Sequence, residues 1–396
     1  MNDWTQYRIK DIARFISAKA DDPMLPYIAL DNIISWDAKF VSSESTSDGN
    51  SIECESGDVL FGKLRPYLAK GFIPKEKSCC SSEFVVLRPE NNVCNKFLLY
   101  YLLSKTFISY IRNLATGVKM PRTNWSQIGG TVISMPSLKQ QEAIAAYLDR
   151  ECEKIGQRIA LLERKADAYR RLRRSLINRA VTRGLNPDTS LKISTSSICT
   201  DIPAYWQEKR IKDIFSEISI KGYPNEPMLC ATQSKGVIPQ SLYENRVVVA
   251  TSGLENMKLV NVGNFVISLR SFQGGIEYAY YRGIISAAYT ILELDNNNCR
   301  DFYRHFFKSS SLIKLMKKCV TGIREGQNIN YTTLKYEHIP VPPIMEQREI
   351  AAYLDEKCAK IDAIVEKINI QIERLKELKR SLINEVVTGK RAINTI

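Results

Sequence analysis

The chain has 396 residues, 56 Lys and Arg against 43 Asp and Glu, a formal net charge of +13 and an isoelectric point near 9.2. That length exceeds one ordinary core and points to two or three folding units, and an apolar fraction of 44% is enough to build them. The charge describes a surface that attracts polyanions, nucleic acid first, with an acidic protein or anionic membrane surface as alternatives. No apolar run approaches the roughly 20 residues of a spanning helix, and MNDWTQYRIK lacks a signal-peptide core, so the expected compartment is the cytoplasm.

In chain order, VLFGKL and EFVVLRP read as strands and Lys96 to Ala115 as an amphipathic helix. A long helical pattern follows, then a polar, turn-rich stretch from Asn186 to Ser197 that reads as a linker. Beyond it NFVISL and SAAYTILEL read as strands, Phe302 to Cys319 as a helix, and a second long helical pattern ends the chain. The expected divisions are a globular domain over 1–140, a helix over 141–185, a linker over 186–200, a second globular domain over 201–346, and a helix with its tail over 347–396.

The chain repeats itself. IAAYLD at Ile144 to Asp149 recurs at Ile350 to Asp355, an offset of 206, and the register holds without a gap to RSLIN at Arg174 to Asn178 and Arg380 to Asn384. It reaches back to Pro136 with Pro342 and to Asn124-Trp125 with Asn330-Tyr331. Further upstream only islands match. RIKDI occurs at Arg8 and Arg210, Thr116-Gly117 pairs with Thr321-Gly322, and GDVLFGKLR with GNFVISLR.

Both long helices carry a heptad seam. Leu148, Cys152, Ile155, Ile159, Leu162, Ala166 and Tyr169 alternate spacings of four and three, as do Leu354, Cys358, Ile361, Val365, Ile368, Ile372 and Leu375. The seams are expected to continue through Leu172 and Leu378, then Leu176 and Ala180, and Leu382 and Val386. Such a seam must be buried against something, either the other copy in the same chain or a second chain. An intrachain antiparallel pair keeps the two globules at opposite ends. The fold class expected is mixed α/β: two globular domains joined by two long antiparallel coiled-coil helices with pseudo-twofold internal duplication.

Catalytic material is scarce. Only His305 and His338 exist, no phosphate-binding loop or amino-methyltransferase motif is found, and Asp355-Glu356-Lys357 falls on a helix where it reads as a solvated face. None of the ten cysteines forms a CxxC pair, the only close pair being Cys79-Cys80, and Cys152 and Cys358 read as buried packing residues. No catalytic residue and no metal site is expected.

GDVLFGKLRPYLAK, CSSEFVVLRP, TGVKMPRTNW, TGIREGQNIN and the paired IAAYLD helices together resemble type I restriction-modification DNA specificity subunits, over nearly the whole chain and in the order of parts. The resemblance implies two target recognition domains, each reading one half of a split double-stranded DNA site. It also implies two modification (methyltransferase) subunits around the helices and restriction (motor-nuclease) subunits joining them. S-adenosylmethionine, ATP and Mg would sit on those partners, with no cofactor on this chain. The fullest family pattern places a separate conserved segment before the first recognition domain, and this sequence is expected to enter that domain almost at once. A recognition subunit of a related system with fused methylase and nuclease, or a scaffold that binds proteins only, are the alternatives.

Base reading needs forked or amide side chains on loops, and phosphate contact needs Lys or Arg. The candidates are Lys63, Arg65, Lys119, Arg122 and Asn124 in the first domain and Arg270, Gln273, Arg324, Gln327 and Asn328 in the second. The run Arg170, Arg171, Arg173 and Arg174 reads as a solvated helix face or a partner contact, and Arg174 and Arg380, being equivalent, are the candidate partner-binding pair.

Overall fold

The computed structural model describes residues 4–43, 45, 49–243, 253–269, 271–321 and 328–393, and divides into two units: Met1–Arg164 with Ile368–Ile396, and Lys165–Lys367. The first long helix, Leu138–Arg183, and the second, Ile344–Val387, each contribute a segment to both units.

The first unit contains β1 (Thr5–Arg8), β2 (Ala13–Ile16), β3 (Val59–Gly62), β4 (Gly71–Phe72), β5 (Phe84–Pro89), α1 (Asn95–Leu102), α2 (Lys105–Leu114), α3 (Trp125–Gly130) and β6 (Val132–Met135). An antiparallel sheet runs β2-β5-β3-β4, and β1 pairs antiparallel with β6. Burial of both faces explains why β3 and the first four residues of β5, Phe84 to Leu87, are apolar without alternation. Val59, Phe61, Val85 and Leu87 enter a core with α1 and α2, while Leu60, Phe84 and Val86 enter a second core with Ile28, Cys54 and Cys80.

The second unit repeats this plan with β7 (Gln207–Arg210), β8 (Phe215–Ile218), β9 (Phe265–Ile267), β10 (Glu277–Tyr278), β11 (Thr290–Leu294), α4 (Arg300–Phe306), α5 (Ser310–Lys318), α6 (Tyr331–Leu334) and β12 (His338–Val341). Its sheet runs β8-β11-β9-β10 and β7 pairs with β12. Phe265, Ile267 and Leu292 face one core, Val266 and Ile291 the other. The weakly matching islands GDVLFGKLR and GNFVISLR therefore fill the same sheet position.

Four expectations need correction. The single helix expected over Lys96 to Ala115 is two, because the Ser104 hydroxyl accepts from Phe107 N and starts α2 afresh. Ser309 does the same for α5 by accepting from Leu312 N. The strand expected over SAAYTILEL is confined to Thr290–Leu294, since Tyr289 N turns back to Ser286 O. The linker stretch contains the strand Leu191–Ile193, paired with Asp201–Pro203, and Glu208 accepts from the Ser194 hydroxyl and from Thr195 N.

In the first unit Leu148, Cys152 and Ile155 share a core with Leu382, Ile383, Val386 and Val387. Tyr147 shares a groove with Arg391 and Leu162 one with Gln371 and Leu375, so these segments run antiparallel. In the second unit Ile177, Ala180 and Val181 share a core with Ile350, Leu354 and Cys358. The fourth correction concerns the seam: Leu172 and Leu378 are 47% and 53% exposed, and while Ala180, Leu382 and Val386 are buried as expected, Ile177 and Val181, like Ile383 and Val387, are buried beside them. A helix of 3.6 residues per turn drifts off a seven-residue repeat, and in the last turns the buried face has rotated onto α5 or α2.

Candidate nucleic-acid interface

In the first unit, the two stretches carrying the five candidates fold against each other. Thr123 N donates to Lys63 O (3.0 Å), Arg65 N donates to Pro121 O (2.7 Å), and Leu64 bridges to Arg122. Thr116 and Arg122 exchange backbone hydrogen bonds of 2.9 and 2.8 Å, closing a loop whose turn uses Gly117 at φ +101°. The tip exposes Lys119 and, beside it, Val118 and Met120, two apolar residues absent from the candidates.

The five side chains are not equivalent. Arg122 grips Glu83 with two hydrogen bonds (2.8 and 3.2 Å) and braces the loop base. Asn124 caps α3, its Oδ1 accepting from Gln127 N at 3.0 Å, and Asn330 caps α6 in the same way. Arg65 has φ +48°, left-handed for a residue with a Cβ, and its buried Nε has no partner among the described residues. Lys63 is half-buried.

In the second unit Gln273 is exposed on the short helix Ser271–Gly274, which joins β9 to β10 as Pro66–Leu68 joins β3 to β4. Arg270, Arg324 and Gln327 lie outside the described residues. Asn328 opens the strand Asn328–Ile329, which pairs with Val320–Thr321 as Arg122 pairs with Thr116. Arg174 is exposed, whereas Arg380 is half-buried with its guanidinium 5.0 Å from the Trp36 ring centre. No cluster of His, Cys, Asp and Glu suited to a metal ion occurs among the described residues, and all ten cysteines are free.

The repeated helix residues have a definite task. Gln141 Oε1 accepts from Cys94 N (2.9 Å) and its Nε2 donates to Pro136 O (3.0 Å), while Gln347 Oε1 accepts from Cys299 N (2.8 Å) and its Nε2 donates to Pro342 O (2.9 Å). Asp149 accepts from Lys96 Nζ (2.5 Å) and the Tyr100 hydroxyl (2.7 Å). Asp355 accepts from Arg304 Nη2 (2.8 Å) and His305 Nε2 (2.8 Å), although burial holds His305 below the usual imidazole range. Asn384 Oδ1 accepts from Thr106 N and Oγ1 (2.8 and 2.9 Å), and Asn178 Oδ1 from Ser311 N and Ser310 Oγ (2.9 and 3.0 Å). None of the six was singled out for this role, and Asp355, read from the sequence as part of a solvated helix face, is instead paired with Arg304 and His305; identity at an offset of 206 was the signal that could have found them.

The type I restriction modification DNA specificity domain matches residues 1–164 and again 203–374. The MjaVIII specificity subunit of Methanocaldococcus jannaschii is 23% identical over 424 residues, covering 98% of this chain and 93% of that protein. The EcoKI specificity subunit of Escherichia coli K12 is 20% identical over 324 residues, covering 77% and 67%. Among solved structures, one described as the structural basis of complex assembly and conformational transition of the type I R-M system superimposes with a TM-score of 0.72 at 19% identity, covering 99% of both chains. The HsdS subunit from Thermoanaerobacter tengcongensis gives 0.51 at 19% identity, covering 98% of both, and these two likenesses establish the fold. No helix of the described residues is long and apolar enough to cross a membrane. With the domain matched twice over most of its length, the chain belongs to the type I restriction-modification DNA specificity subunits, the non-catalytic recognition component of those systems.

Proposed function

We propose that this subunit selects an asymmetric, bipartite double-stranded DNA target, one half-site per globular domain, for two modification subunits docked on its long helices and for the restriction subunits that join them. The observation that carries this reading is a contrast within the duplication. The sheet order and the three kinds of anchor, Gln, Asp and Asn, are the same in both units, while the loops that these frames carry differ in sequence and length. Like frames carrying unlike loops suit two readers of unlike half-sites.

The loop at Thr116 to Arg122 has the composition that a groove contact needs. Lys119 supplies a cation for phosphate or a guanine edge, and Val118 and Met120 supply apolar contact for thymine methyl groups. Partner docking is supported by Leu172 and Leu378, which occupy equivalent positions on the two helices and are both exposed. S-adenosylmethionine, ATP and Mg belong to the partner subunits, and the complex acts in the cytoplasm. Exchanging residues 1–135 for the equivalent domain of another specificity subunit tests the proposal. The methylated motif should change in one half-site and keep the other. Simultaneous loss of both half-sites contradicts independent readers.

A further inference from the structure

The two asparagines that end the RSLIN repeats hold domains other than those preceding their helices. Asn178 lies in the last turns of the helix that continues from the first globular domain, yet its Oδ1 receives Ser310 Oγ and Ser311 N at the start of α5, in the second. Asn384 lies in the last turn of the helix that continues from the second globular domain, yet it receives Thr106 N and Oγ1 at the start of α2, in the first. The chemistry is the same each time. One amide oxygen takes a first-turn N–H, which the helix itself leaves unpaired, and a hydroxyl one or two residues after the Ser cap. Asp149 and Asp355, at the other end of the repeat, each hold the domain from which their own helix continues.

Each domain's helical pair is therefore tied at two places: to the beginning of one long helix through Asp, and to the end of the other through Asn. Two ties fix an angle where one leaves a hinge. The coupling of Ser104 and Ser309 caps to these asparagines also explains why both helical pairs break where they do.

We propose that Asn178 and Asn384 are positioning residues for DNA reading with crossed control: Asn178 sets the reader of the second domain and Asn384 that of the first. This rests on the reading of each globular domain as a half-site reader. Neither asparagine needs to meet DNA. A loosened helical pair lets the loops of its domain take several orientations, so the half-site that they read becomes degenerate while the other stays sharp.

The test is made on the full chain in complex with its modification subunits, with methylation mapped over a library of sites carrying single changes in each half. Asn178→Leu, which keeps the branched shape but has no acceptor, is expected to reduce discrimination in the second domain's half-site by about tenfold, the order that loss of a half-buried acceptor of two hydrogen bonds implies. The first domain's half-site should be unaffected. Asn384→Leu should give the mirror result. Asn178→Asp, which retains the acceptor, should restore discrimination, something that general destabilisation does not predict. Assignment of half-sites comes from the exchange of residues 1–135, so a failure of the two-reader proposal shows there first and separately. The inference is overturned if Asn178→Leu relaxes the first domain's half-site, if both relax equally, or if neither changes while hydrogen exchange shows that Ser311 N has lost its protection. Should Asn178→Leu fail to fold, Asn178→Ser, with a shorter acceptor, serves as the graded variant and must relax the same half-site.

Discussion

Lys308→Met removes one partner of a buried charge pair that the duplicated domain does without. Glu277 is 2% exposed in its side chain, and Lys308 Nζ donates to its Oε1 at 2.6 Å and to Gly274 O at 3.0 Å. The register that pairs Leu60 with Phe72 pairs Val266 with Glu277, and the matching position for Lys308 is Leu103, so the first domain has Phe and Leu where the second has Glu and Lys. Breaking such a pair costs about 3–5 kcal/mol when the remaining charge stays buried, and the partial exposure of Lys308 favours the lower figure. Replacing both members by the residues of the first domain, Glu277→Phe with Lys308→Leu, is expected to be neutral or stabilising by about 1–4 kcal/mol.

The pH dependence follows from the same geometry. Burial pushes the Glu277 carboxyl up to about 7, against the attraction of Lys308, and Arg304, His305, Arg173 and Asp362 line the same cavity. The folded state then holds a proton that the unfolded state has released. Stability from this group is fully present below the ordinary value of 4.5 and is lost as pH rises through about 7, by on the order of 3 kcal/mol. Denaturant unfolding with hydrogen exchange at β9 and β10 reads the second unit directly. The single variant should lose more at about pH 8 than at about pH 5.5, and the double variant should lose both the deficit and the slope. Equal losses in single and double variants would refute the argument, because the pair would then be stabilising beyond its packing.

Two further outcomes follow from other sites. Gln347→Leu leaves Cys299 N and Pro342 O without their partner and should destabilise by about 2–3 kcal/mol in chemical denaturation, with Gln141→Leu comparable. Lys119→Ala should weaken binding to all duplexes alike and lower the dependence of log affinity on log salt by about one, measured by titration at several salt concentrations, if Lys119 meets phosphate.

The long helices were legible because a repeat of IAAYLD to RSLIN without a gap leaves little freedom in period or register. The sheet strands were legible where both faces are buried, as at Val59 to Phe61, since a short apolar run bounded by Gly is a strong local signal. The breaks at Ser104 and Ser309 were hidden inside amphipathic patterns, and only the hydroxyl acceptor at each decides them. Leu172 and Leu378 misled because a seam read at seven-residue spacing ignores the drift of the helix and the neighbours that meet its last turns. Arg122 and Asn124 lie beside the exposed loop; the contact of Arg122 with Glu83, 39 residues away, is a matter of chain reversal that composition does not encode, whereas the Asn124 cap on Gln127 N is local. The anchors Asn178 and Asn384 were visible as repeats, but nothing local says that each binds a helix of the other copy's domain.

The central claim is that this chain chooses the DNA sequence that its partners modify, and methylated bases mapped genome-wide by single-molecule sequencing test it most directly. Cells with the modification subunits should show one asymmetric motif of two short half-sites and an unread spacer when this chain is present, and should lose that motif when its gene alone is deleted. Persistence of the same motif without the chain would contradict the account.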